Sequence, residues 1–268
     1  MYESKIVIFM IVKTKFILFI VLLFFSCDNG IDIKSVFREI RSTINNTKPL
    51  PKKDYSVDYI KENSIVGIDI SHHQGEINWE KVKKWRNHDL KFVYIKATEG
   101  SFGDGSKDKK YKYNITEAKK NGILVGSYHY FRTTSSAEDQ FKNFINTIKD
   151  HEQDIIPMID LEQNDNYSKK KYREELNKFI KLVEEHFNQK PILYSLTNFY
   201  NKYLANYFLD YNLFLGFYNL EFEKINLKDD KKWSIWQFSQ QGKVEGINSN
   251  VDISVINNDI TLNEIILK

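Results

Sequence analysis

Four acidic residues lie in apolar surroundings, where a carboxylate is costly to keep. Asp69 interrupts Gly67-Ile68-Asp69-Ile70, Asp160 and Glu162 flank Leu161 in Ile159-Asp160-Leu161-Glu162, and Asp252 follows Asn250-Val251. In an extended segment the period of two puts Asp160 and Glu162 on one face and Leu161 on the other. Carboxyl groups that close resist joint ionisation, so one pKa is predicted to rise. A raised carboxylic acid stays protonated near neutral pH and can act as a general acid. Taken singly, an Asp at a strand end reads as well as a cap or turn residue; three strands ending in acids point to catalysis. Aromatic and amide groups accompany them: Tyr128 in Tyr128-His129-Tyr130-Phe131, Tyr194, Tyr218, and Trp236-Gln237 in Trp233-Ser234-Ile235-Trp236-Gln237-Phe238. Sugar rings present apolar CH faces between hydroxyls, so aromatic faces and amides around two acids suit an oligosaccharide. Any one of these aromatics reads equally well as core.

The elements that must carry these groups follow from periodicity. Strand-length apolar runs cover Ile65–Ile70, Phe92–Ala97, Ile123–Tyr130, Ile155–Leu161 and Pro191–Leu196, and each is followed by helix-period sequence. Helix starts are signalled by Asn78, Ser136 with Asp139 three residues on, Ser168 before an amphipathic run to Phe187, and Asn198. Leu213–Tyr218, Trp233–Phe238 and Val251–Val255 then read as strands with no long helical face between them. Five βα units and three further strands predict an α/β fold, an irregular TIM-like barrel of eight strands, with an open doubly wound sheet as the alternative. In such a barrel the working residues sit at the C-terminal strand ends, where the acids fall. Gly100-Ser101-Phe102-Gly103-Asp104-Gly105 lacks the Lys-Ser/Thr of a phosphate loop, so no nucleotide cofactor is expected, and no metal.

The chain has 268 residues, 39 of them basic and 36 acidic, with a net charge of +3. No polycationic character points to nucleic acid. Lys13 and Lys15 precede an apolar run, Phe16 to Phe25, that ends at Ser26-Cys27. The run is too short to span a bilayer and fits the apolar region of a secretory signal. The single cysteine at its end resembles the lipidation site of bacterial lipoproteins; a buried core cysteine is the alternative, and Met10 is a second candidate start. Without residues 1–27 the net charge is +1. The expected organisation is a signal peptide at 1–27, a polar tether at 28–63 and a barrel domain at 64–268. The product is expected to be exported, membrane-attached through lipid on Cys27, and monomeric.

The motifs, in order, carry a resemblance. Gly67-Ile68-Asp69-Ile70-Ser71 with Gln74-Gly75, Lys96-Ala97-Thr98-Glu99-Gly100, Gly126-Ser127-Tyr128-His129-Tyr130-Phe131, Pro157 with Asp160-Leu161-Glu162, Pro191-Ile192-Leu193-Tyr194-Ser195, Trp236-Gln237-Phe238 and Gly246-Ile247 with Val251-Asp252 resemble the series of glycoside hydrolase family 25. These are muramidases, also called lysozymes. The resemblance implies an irregular barrel and cleavage of the β-1,4 bond between N-acetylmuramic acid and N-acetylglucosamine in peptidoglycan. It implies Glu162 as general acid, with Asp160, Asp69 and Asp252 completing an acidic centre. Tyr128 and Tyr194 would line the sugar site, with Trp236-Gln237 matching the family's Trp-Gln pair. The sixth strand, Leu213 to Tyr218, departs in having no tryptophan near its start. Two other functions compete. A metal-dependent polysaccharide deacetylase would gather Asp69, His72, His73 and His129 around an ion, although adjacent histidines on an extended segment point to opposite faces. A lipoprotein that binds cell-wall glycan without cutting it would have no use for four acids.

Overall fold

The computed structural model describes residues 59–101, 106–218 and 225–268, plus two short paired strands, Val12–Lys13 and Phe16–Ile17. The chain divides into two units, Met1–Pro51 and Lys52–Lys268, and only that strand pair is described in the first. The expected lipidation site, Cys27, and most of the tether lie outside the described residues.

The second unit is a closed barrel. Its strands are β1 (Val66–Ile70), β2 (His88–Glu99), β3 (Leu124–Tyr130), β4 (Met158–Asp160), β5 (Ile192–Leu196), β6 (Leu213–Gly216), β7 (Ile235–Gly242) and β8 (Val251–Ile256). Neighbours run in sequence order from β1 through β7, all parallel, and β8 closes the ring antiparallel to both β7 and β1. The short connection between β7 and β8 dictates that reversal, since parallel neighbours need a long crossover.

Three long helices cover the outside: α1 (Tyr111–Lys120), α2 (Ala137–Ile148) and α3 (Lys169–Phe187). Ser136 caps α2 by accepting from the Asp139 amide, and Ser168 caps α3 by accepting from that of Lys171, each satisfying an otherwise orphaned N–H. Along α3, Tyr172, Leu176, Phe179, Ile180 and Val183 recur at helical spacing and are all buried against the barrel.

The first crossover contains no α-helix, which corrects the expected helix at Trp79. Trp79, Val82 and Trp85 recur every third residue, and the segment buries them with successive turns (Lys81 N to Asn78 O, Val82 N to Trp79 O). It then enters a tight hairpin in which Lys84 and Trp85 pair with Asp89 and His88. Between β5 and β6 the helical material is Thr197–Phe199 and a wide turn at Tyr200–Leu204. Tyr59, within the stretch read as tether, packs its ring 5.3 Å from Trp233 and 5.7 Å from Trp236.

Strand alternation sorts side chains into barrel interior and outer layer. Phe92, Tyr94, Met158, Ile192, Phe214, Ile235 and Ile256 fill the interior below the acids. Gly67 faces this packing: a Cβ there would fall 2.4 Å from the Phe92 ring.

Candidate active site

At the C-terminal ends of the parallel strands the interior rows end in polar groups. Asp69 on β1 and Asp252 on β8 are direct cross-strand partners. Asp160 is the last residue of β4, and Glu162 lies two residues on. The extended backbone persists past the strand end, because Leu161 N donates to Tyr194 O and Phe131 N donates to Asp160 O, each at 3.0 Å. Leu161 is buried in the outer layer with Phe179, so Asp160 and Glu162 both face inward. The four acids line one cleft of about 330 Å³. The same cleft exposes Tyr128, Tyr194 and Gln237.

Gln237 organises one wall. Its carbonyl oxygen accepts from Tyr194 Oη at 2.7 Å and from Tyr218 Oη, and the two phenol oxygens lie 3.4 Å apart. With the oxygen so engaged, the amide nitrogen must point the other way, and it donates to Asp69 Oδ2 at 2.8 Å. Gly216 makes this possible, since a Cβ there would lie 2.6 Å from Tyr194 Oη.

Burial and mutual repulsion act together on the acids. Asp69 is pushed well above the usual carboxylate range by burial and then by the Asp252 charge, with the Gln237 hydrogen bond opposing. Asp160 is raised in the same way by burial and then by Glu162, with Lys96 opposing. Burial also raises Glu162, against Tyr194 and Lys96. Asp252 rises to about 6 through burial and the Glu162 charge. Four carboxyl groups here cannot all ionise near neutral pH, so the cleft holds protons to donate. Asp160 differs from the rest in one respect: its Oδ1 is buried and, among the described residues, receives no hydrogen bond. That leaves Oδ1 able to accept from a water or from a ligand in the cleft.

Trp236 is not in the cleft. It is 1 % exposed, donates Nε1–H to Phe217 O at 2.9 Å and stacks on the Phe217 ring. Alternation requires this: with Gln237 facing inward, Trp236 faces out, so it serves the core rather than the sugar. Conversely, Lys96, Tyr130 and Gln74 line the cleft without having been singled out by residue type. Lys96 binds Glu99 at 2.7 Å, and its ammonium sits 5.0 Å from the centre of the Tyr130 ring. A bulge between Lys96 and Thr98 shifts the register of β2 against β3 and returns Glu99 to the side of Lys96. Gln74 ties the β1 loop to that before β8, accepting from Ser71 N and donating to Asn250 O.

The histidines do not assemble with Asp69. His72 and His73 stand on a short helical turn with ring centres 4.1 Å apart, rather than on opposite faces of an extended segment. His72 pairs with Asp108 at 2.8 Å. His129 is buried in the outer layer between Thr98 and Gln140, where burial lowers its pKa to about 4. Among the described residues, no group of three or more His, Cys, Asp or Glu is placed to hold a metal ion.

Comparison with known proteins agrees with this geometry. The family described as "Glycosyl hydrolases family 25" matches residues 68–247. The "uncharacterized protein YegX" of Escherichia coli K12 is 34% identical over 212 residues, covering 78% of this chain and 76% of that protein. The "autolytic lysozyme" of Clostridium acetobutylicum is 32% identical over 192 residues, 70% of this chain and 54% of that one. Among solved structures, a family 25 glycosyl hydrolase from Bacillus anthracis superposes with a TM-score of 0.64 at 30% identity, covering 75% of this chain and 93% of that one. A fold, an acid-lined cleft at the strand ends and a family match over most of the barrel lead to one statement: the chain belongs to glycosyl hydrolase family 25.

Proposed function

We propose that the protein is a peptidoglycan muramidase that hydrolyses the β-1,4 bond between N-acetylmuramic acid and N-acetylglucosamine with retention, using the substrate's own acetamide as nucleophile. The observation that carries this reading is the division of labour between the two acids of the β4 end. Glu162, partly open to the cleft, is reachable by a glycosidic oxygen, and Asp160 holds a buried carboxylate oxygen in want of a donor. In the first step Glu162 gives its proton to the leaving oxygen while the acetamide oxygen of the muramic residue attacks its own anomeric carbon. The C–O bond to the leaving sugar breaks and an oxazolinium ring forms. Asp160 Oδ1 accepts the acetamide N–H, orienting it and stabilising the positive charge that develops. In the second step Glu162, now a carboxylate, takes a proton from water, which opens the ring at the same carbon and restores the β anomer. Asp69, held by Gln237, and Asp252 across from it set the charge and shape of the floor.

Mass spectrometry of peptidoglycan fragments tests the bond: products ending in reducing N-acetylmuramic acid are expected, and reducing N-acetylglucosamine ends would refute the assignment. Loss of acetyl groups without chain cleavage would instead favour a deacetylase. Lipid on Cys27, with the polar segment after it as tether, would hold the enzyme to a membrane from its N-terminal side. Replacing Cys27 with Ala should then release the product from membranes, and a wild-type product that is already soluble would refute the anchor.

A further inference from the structure

A second groove, of about 430 Å³, opens beside the catalytic cleft and shares Lys96 and His73 with it. One wall is the turn after β1, carrying His72 and His73 with Asp108 behind them. The other is formed by Glu99 at the end of β2 and by Arg132 and Thr134 just after β3. Its chemistry differs from that of the cleft. Among the described residues no Leu, Ile, Val, Phe, Tyr or Trp lines it, so these residues offer no apolar face to a further sugar ring. It offers alternating charge instead. Glu99 sits between Lys96 at 2.7 Å and Arg132 at 2.9 Å, and Asp108 holds His72. Lys96 spends one of its three donors on Glu99.

We propose that this groove binds the peptide stem carried by the muramic acid residue, so that the enzyme reads peptide as well as glycan. The inference rests on the muramidase reading and on the geometry of the sugar. The 2-acetamido group and the 3-lactyl ether occupy adjacent ring carbons. With the acetamide on Asp160, the lactyl group therefore leaves the ring on a neighbouring bearing, and Lys96 at the boundary of the two cavities marks a path for it. A short peptide with free carboxylates, amides and an amine suits a groove of alternating charges and hydroxyls. Lys96 and Arg132 would take carboxylates, and Glu99 would face amine and amide donors.

The test compares intact peptidoglycan with the same glycan stripped of its stems by an amidase, using wild-type protein and Thr134→Trp. Thr134 is exposed on the groove wall, so a bulky side chain there narrows the groove without disturbing buried packing. Wild type is expected to cleave intact glycan with a kcat/KM about tenfold above stripped glycan. Thr134→Trp should lose that advantage while matching wild type on stripped glycan. Equal cleavage of both glycans by wild type, or an undiminished preference in the variant, would overturn the groove assignment and leave the muramidase reading standing. Cleavage of neither glycan would overturn both.

Discussion

Replacing Asp252 with Asn should stabilise the protein at alkaline but not at acid pH. Asp252 is raised from an ordinary 3.8 to about 6 in the fold, so between those values the folded state holds more protons than the unfolded one. Stability is then present in full below about pH 4, falls as pH rises through 6, and stays at its lower level above that. At about 1.36 kcal/mol per pH unit, this difference corresponds to roughly 3 kcal/mol. Asp252 is partly open to water in the cleft, and screening there brings the figure to about 1.5 kcal/mol. The amide keeps the volume and can still donate to Asp69, while removing the charge that acts on it. For a barrel of this size the change corresponds to a Tm gain of about 3–6 °C at pH 8 and almost none at pH 4. Thermal unfolding followed by circular dichroism from pH 4 to 9 measures the difference. A gain as large at pH 4 as at pH 8, or a loss at pH 8, would refute the picture of a repulsive acid cluster.

Glu162→Gln should fold with a Tm no lower than wild type and lose about a hundredfold or more in wall-lysis rate, since an amide cannot deliver a proton; near-normal turnover would remove Glu162 from the acid's role. The first-formed product should be the β anomer by NMR before mutarotation, and glycan lacking the N-acetyl group on muramic acid should resist cleavage; an initial α anomer would exclude the substrate-assisted route. Gly216→Ala should push Tyr194 off Gln237 and cost about 1–3 kcal/mol by overpacking, with activity falling more than stability alone accounts for when assayed well below Tm. Trp236→Ala should cost about 3–5 kcal/mol in urea unfolding yet leave KM for glycan unchanged, and a raised KM in folded protein would return Trp236 to the substrate site.

Much of the barrel was legible because its signals are local. Strand-length apolar runs marked all eight strands, and Ser136 and Ser168 marked two helix starts that the structure caps as expected. Period-two alternation placed Asp160 and Glu162 together. What escaped depends on contacts that no local period encodes. The bulge in β2 defeats a period-two reading that separates Lys96 from Glu99, and their ion pair exists only because the register slips there. Trp79, Val82 and Trp85 mimic a helical face but are spaced equally well for consecutive turns, and the hairpin at Lys84–Trp85 decides between the two. Trp236 was misplaced for a different reason. Its neighbour Gln237 does face the site, and strict alternation applied to that pair would have sent the tryptophan outward.

The four acids are not equivalent, and their hydrogen bonds separate them more firmly than their shared burial does. Asp69 is held from one side by Gln237, itself fixed by two phenols, and Asp252 faces Asp69 across the β1–β8 ladder. Both are committed to the protein before any substrate arrives. Asp160 keeps one buried oxygen without a donor, and Glu162, less enclosed, can meet a leaving group. The pair on β4 therefore keeps a carboxylate oxygen for ligand, and Asp69 acts on it through charge. Since each unpaired carboxylate in this cluster opposes folding at neutral pH, a domain that merely held glycan would be more stable with amides in their place. Glycan binding needs hydrogen bonds and aromatic faces, both of which the cleft has without the acids. Proton transfer needs a carboxyl that keeps its proton near neutral pH, and burial and mutual repulsion in the β4 pair, with Lys96 opposing, supply that condition.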